Sequence, residues 1–319
     1  MKRFIANALA LFIALGFIWG AATPTVAAPI ILSSPRESPI SEQPKKSGVI
    51  STPRAVSFRT VKDRGLLVKV WVNDSGPYTF AVDTGAGVTL IGSRVAVGAA
   101  MESQGSPVSV GGLSGISQAK GRNTVISSLA VGDQGNRLRR NQKAIIIDNL
   151  PAELDGVLDP TDAYSPLGYS IDLPNREMTA FNSADSPVDI NEVPEGGTVV
   201  RWLGNGAPGR PFVRLGDGRL ALLDTGSGFG LAISEYPRDR DRAFNKAGVR
   251  DLGGGVVASK RVGPSTISIG SLTLRGVPTD ILTGVEKDAP ILLGRDALYP
   301  FRLTFDPVKQ LIKIAPVRS

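Results

Sequence analysis

The chain has 319 residues and contains neither histidine nor cysteine. Without imidazole there is no Ser-His-Asp or Cys-His pair and no histidine metal ligand. Without thiol there is no thiolate nucleophile, disulfide or zinc-thiolate site. The chemistry left to unaided side chains is that of carboxylates, lysine, hydroxyls and tyrosine. Aromatics are also scarce, at 6%, while 37 glycines and 23 prolines favour many short strands and turns over long helices. Apolar residues at 42% and charged residues at 20% are those of a globular chain, and the length suits about two domains.

The first 27 residues have the order of an export signal. Lys2 and Arg3 precede an apolar run from Phe4 to Ala22, broken only by Asn7, and small residues lead to a cleavage site before Ala28. Cleavage and retention as a membrane tether both stay open, and in either case the remainder is expected in the periplasm or cell envelope. Residues 28–55 are rich in Pro and Ser, which suits a flexible tether or a propeptide better than a core. Basic residues exceed acidic ones, 36 to 29, but are scattered. Arg137 to Arg140 and the alternating Arg238 to Arg242 read as solvated loops, so no nucleic-acid partner is expected.

The chain then repeats itself. Leu66 to Val72, a turn at Asn73 to Pro77, and Tyr78 to Val82 lead into Asp83-Thr84-Gly85-Ala86-Gly87. In the second half, Phe212 to Leu215, a turn at Gly216 to Gly218, and Leu220 to Leu223 lead into Asp224-Thr225-Gly226-Ser227-Gly228. Each copy reads as a hairpin that delivers an aspartate at the end of an apolar strand. Further matches follow in order: Leu129 to Gly132 with Ile267 to Gly270, Gly156 to Asp159 with Leu292 to Gly294, and Ile171 to Pro174 with Phe305 to Pro307. The division expected is residues 56–190 and 191–319.

Two carboxylates held face to face cannot both ionise readily, so one proton is shared. The ionised partner takes a proton from water while the protonated one polarises a carbonyl. Such hydrolysis needs no metal and no cofactor. Thr84 and Thr225 are expected to tie one loop to the other, and Gly85 and Gly226 to let backbone N–H groups approach the carboxylates. Ser227 offers a hydroxyl to the second carboxylate where Ala86 offers none to the first. Asp83 is therefore expected to hold the shared proton more readily than Asp224. A single Asp-Thr-Gly could equally be a turn cap; the pair is what points to chemistry.

The paired triplets, each followed by an apolar-apolar-Gly-type segment such as Ile291 to Leu298, resemble the aspartic peptidases, and most closely bacterial retropepsin-like enzymes with both lobes in one exported chain. The resemblance covers about Val56 to Pro316. It implies an all-β chain with two homologous six-stranded-type barrel lobes, a cleft between them, and Asp83 and Asp224 as the catalytic dyad. It places Leu158 and Leu293 beneath the Asp loops as packing residues, and gives Asp296 a structural ion pair beside Arg295. Glycine-rich hairpins would roof the cleft: a first flap within Val95–Ile126 with Gly111 and Gly112, and a second within about Gly248–Gly263 with Gly254. The expected partner is a peptide or protein, and a monomer is expected because both halves of the site lie in one chain. The sequence departs from the family at Asp159, where glycine is expected; a buried unpaired carboxylate would be costly there. A weak or inactive peptide-binding relative is therefore the alternative to an endopeptidase, with a structural envelope protein a remoter one. Trp71 and Trp202 suit a core as well as a specificity role.

Overall fold

The computed structural model describes residues 52–62, 64–113, 118–138, 140–204, 209–234, 247–250, 256–285 and 289–317. The signal, most of the tether and Gly254 lie outside the described residues.

The architecture is all-β, of the aspartic-protease type. The first hairpin pairs Gly65–Val72 with Ser75–Val82, and its alternation buries Leu66, Val68, Val70 and Val72. Strand Gly156–Leu158 lies parallel to Ser75–Val82 and antiparallel to Thr89–Gly92. The sheet continues through Gln142–Ile147, Gln118–Ile126 and Gln104–Gly111. The second half builds the same sequence of neighbours from Phe212–Arg214, Leu220–Asp224, Ile291–Gly294, Leu231–Ser234, Leu272–Thr283, Val256–Ile269 and Ala247–Arg250. Each parallel or antiparallel pairing along this path matches between the halves. The repeat in the sequence is thus a repeat of topology.

The two sheets have nine and seven strands. The remaining strands form a third sheet that draws on both halves, in which Gly168–Asp172 pairs with Phe301–Asp306. Pairing Tyr169 with Phe305 stacks their buried rings 4.8 Å apart, with Trp202 set edge-on to Phe305. Ser170 and Thr304 share a buried hydrogen bond of 2.9 Å across the same pair of strands. One continuous set of buried apolar residues runs from Val56 to Ile314. The two Asp-bearing strands are therefore braced by a common foundation. Arg54, at the end of the tether segment, pairs with Asp133 and donates its backbone N–H to Asn136.

Candidate active site

Each aspartate ends a buried strand. Asp83 donates its backbone N–H to Leu158 O at 3.0 Å, and Asp224 stands beside Gly294 in a parallel ladder. Leu158 and Leu293 are fully buried at these places. The loops then interlock. Thr84 N donates to Thr225 Oγ1 and Thr225 N donates to Thr84 Oγ1, both at 3.1 Å. Thr84 Oγ1 donates to Leu223 O at 2.7 Å and Thr225 Oγ1 to Val82 O at 3.2 Å. Each hydroxyl accepts from the opposite amide and donates to the opposite strand's carbonyl, so the buried donors and acceptors satisfy one another across the join.

The glycines have a more specific task than the sequence suggests. A Cβ on Gly85 would stand 3.0 Å from the carboxyl carbon of Asp224. One on Gly226 would stand 2.7 Å from Oδ1 of Asp83 and closer still to the carboxyl carbon. Each glycine clears space for the carboxylate of the other half. Gly85 N also donates to Asp83 Oδ1 at 2.8 Å, while Ser227 N donates to Asp224 Oδ1 at 3.0 Å. Both carboxyl groups are buried, and Asp83 Oδ2 has no hydrogen-bond partner among the described residues.

Burial pushes Asp83 up to about 6, held back by the Gly85 N–H, by the neighbouring Asp224 carboxyl, and by Arg210 and Arg295. Burial and then the Asp83 charge drive Asp224 well above the usual carboxylate range. Both carboxyls are held above the usual range, and the two titrate as a unit. The Ser227 hydroxyl accepts from Phe229 N at 3.2 Å, and it is the Ser227 backbone N–H that reaches the Asp224 carboxyl. Ala86 is fully buried and closes a turn by donating its N–H to Asp83 O.

Asp159 is accommodated as a helix cap. It precedes Pro160 at the start of the short helix Pro160–Tyr164, accepts from Thr161 N at 2.9 Å, and donates its own N–H to Thr89 Oγ1. Burial, then Asp162, and more weakly Asp83 push it up to about 8 despite the capping bond from Thr161. Below that pH it is a neutral acid, which removes the expected cost of a buried charge. Asp296 enters no ion pair among the described residues, contrary to expectation. Arg295 instead braces the second loop, donating Nη1 to Thr225 O at 2.6 Å and Gly226 O at 2.9 Å. Arg210, which no motif flagged, reaches the first loop and donates Nη2 to Ala86 O at 3.3 Å.

The hairpin of Gln104–Gly111 and Gln118–Ile126 carries Gly111 at its outer end, with Gly112 just beyond. Leu113 follows and is buried with Phe212, Leu222 and Phe229 of the second half. Trp202 is a core residue, its Nε1 donating to Arg210 O at 2.7 Å.

Residues 68–170 match the family model of aspartyl proteases. The matched stretch includes the first triplet, the strand Gly156–Leu158 and Asp159, and it supports an aspartic-protease assignment and a protease-like function. No curated protein matches the chain.

Proposed function

We propose that this protein is an exported, monomeric, two-lobed aspartic endopeptidase that needs neither metal nor cofactor. Asp83 and Asp224 are its catalytic pair, with the hairpin around Gly111 and Gly112 as a flap over an extended peptide. Asp83 carries the charge and takes a proton from water, and the water oxygen bonds to the scissile carbonyl carbon. Asp224 gives its proton to the carbonyl oxygen, producing a neutral gem-diol. Return of a proton from the diol to Asp224, and delivery of one from Asp83 to the amide nitrogen, lets the C–N bond break. The aspartic-protease dyad is a standard example of such proton sharing; what this chain adds is its own division of labour.

The observation that carries this reading is the crosswise clearance of the loops, in which each triplet's glycine leaves room for the other triplet's carboxylate. Incubating the full-length chain with a diverse peptide mixture between about pH 3 and pH 8, read by mass spectrometry, tests it. Cleavage by the wild type, lost in folded Asp83→Asn and Asp224→Asn, is expected. Peptide retention without cleavage at any pH would favour the alternative of a peptide-binding relative, for which Asp159 beneath the first loop is the supporting observation.

A further inference from the structure

Arg210 has no twin in the first half. Leu223 N donates to Pro211 O, so Arg210 stands opposite the end of the Asp224 strand. Leu66 pairs with Val82, which puts Gly65 at the equivalent place in the first half. The Trp202 indole holds the Arg210 carbonyl, and the side chain crosses to the first loop. There its Nε lies 2.9 Å from where a Cβ on Gly87 would sit, and Gly87 has φ +73°. Only glycine combines that backbone with that clearance.

The two buried guanidinium groups are used differently. Arg295 directs one nitrogen at two loop carbonyls through short bonds, whereas Arg210, among the described residues, makes a single bond of 3.3 Å to a carbonyl and no ion pair. A desolvated cation so sparsely satisfied acts on the nearest charge. Its coupling is largest to Asp83, then Asp224, then Asp159. Arg295 is the other cation felt by the pair, and Lys143 and Asp162 border the adjoining cavity of about 320 Å³ with Gly87 and Asp159.

We propose that Arg210 is a positioning residue that decides which carboxylate serves as the base: reaching from the second half onto the first loop, it keeps the negative charge on Asp83 and leaves the proton on Asp224. Its catalytic consequence rests on the function proposed above, but the charge placement is measurable without activity.

The test is a carboxyl-¹³C titration of the full-length chain labelled at aspartate, with resonances assigned from Asp83→Asn and Asp224→Asn. As pH rises, the first ionisation of the pair is expected at Asp83; an Asp224 carboxyl ionising first overturns the proposal. In Arg210→Gln the Asp83 step should move up by about one unit or more, while Arg210→Lys keeps it near the wild-type position. A folded Arg210→Gln with an unmoved Asp83 step also overturns it. If Arg210→Gln does not fold, the wild-type order decides. In turnover, the acid limb of kcat/KM should follow the Asp83 step, a displacement that mere loss of packing would not produce. If the wild type cleaves nothing while the carboxyls titrate as expected, the endopeptidase reading fails and the role of Arg210 stands.

Discussion

The two halves share a strand order but not a charge pattern. The second half supplies both buried guanidinium groups at the loops, Arg295 to its own and Arg210 to its neighbour's. The first half supplies an additional buried acid, Asp159, where the second has Gly294. A duplicated backbone gives the loops nearly equal geometry, and equal geometry cannot assign different roles to two chemically identical groups. On the roles proposed above, the difference comes from residues outside the triplets. The divergence is also constrained by space. A Cβ on Gly294 would meet the backbone oxygens of Phe229 and Ser227, whereas Asp159 opens a capped helix and fits.

Exchanging the floor residues should therefore break the comparison most severely. Gly294→Asp forces a side chain against two carbonyls and buries an acid beside Asp224. We expect a loss above about 4 kcal/mol, seen as no cooperative thermal transition. The reverse exchange, Asp159→Gly, gives up one capping bond and should cost less than about 1 kcal/mol at pH 5. Comparable losses from the two would show that the first-half site is as tightly closed as the second.

The triplet glycines sharpen the same contrast. Gly226→Ala places a methyl against the Asp83 carboxyl and should cost about 1–3 kcal/mol by overpacking and displace the proposed base. Gly85→Ala meets Asp224 at 3.0–3.2 Å and should cost less, with more residual turnover. Denaturant titration and peptide cleavage on both variants give the ranking; the opposite order would mean that the second loop is the more rigid. The threonines, by contrast, should behave alike. Thr84→Val and Thr225→Val each leave an amide and a carbonyl of the facing strand unpaired, at about 1–3 kcal/mol for each orphaned group. Unequal losses in chemical denaturation would contradict the two-fold symmetry of the interlock.

The paired aspartate loops, their threonines and the strand order were legible because duplication writes them twice, and the second copy separates signal from an ordinary turn. Arg210 was not legible: its contact with Ala86 spans 124 residues, and a lone arginine before a proline carries no periodicity. The expected donation from the Ser227 hydroxyl to the second carboxylate is not among the hydrogen bonds of the described residues. A sequence shows that a hydroxyl exists, but that its oxygen accepts from the Phe229 amide appears only once the turn is built. Asp159 was visible as an anomaly, and its resolution was also written locally. An aspartate followed by proline and then threonine is a helix start.

That resolution leads to a last effect, which depends on pH. Asp159 lies at about 8 in the folded chain against an ordinary 3.8, so between those values the folded state holds a proton that the unfolded state releases. Stability attributable to this group is full below about pH 4, falls as pH rises, and is gone above about pH 8. Asp159→Asn keeps an N-capping oxygen and cannot ionise. It should match the wild type near pH 4 and exceed it in melting temperature increasingly toward pH 8. Asp83 and Asp224, both shifted upward, add the same sign to either protein, so the difference between the two curves reports the capping residue together with its weaker coupling to Asp83. A difference that stays flat with pH would mean that Asp159 is already charged when folded, and that the first half, like the second, contains no neutral acid beneath its loop.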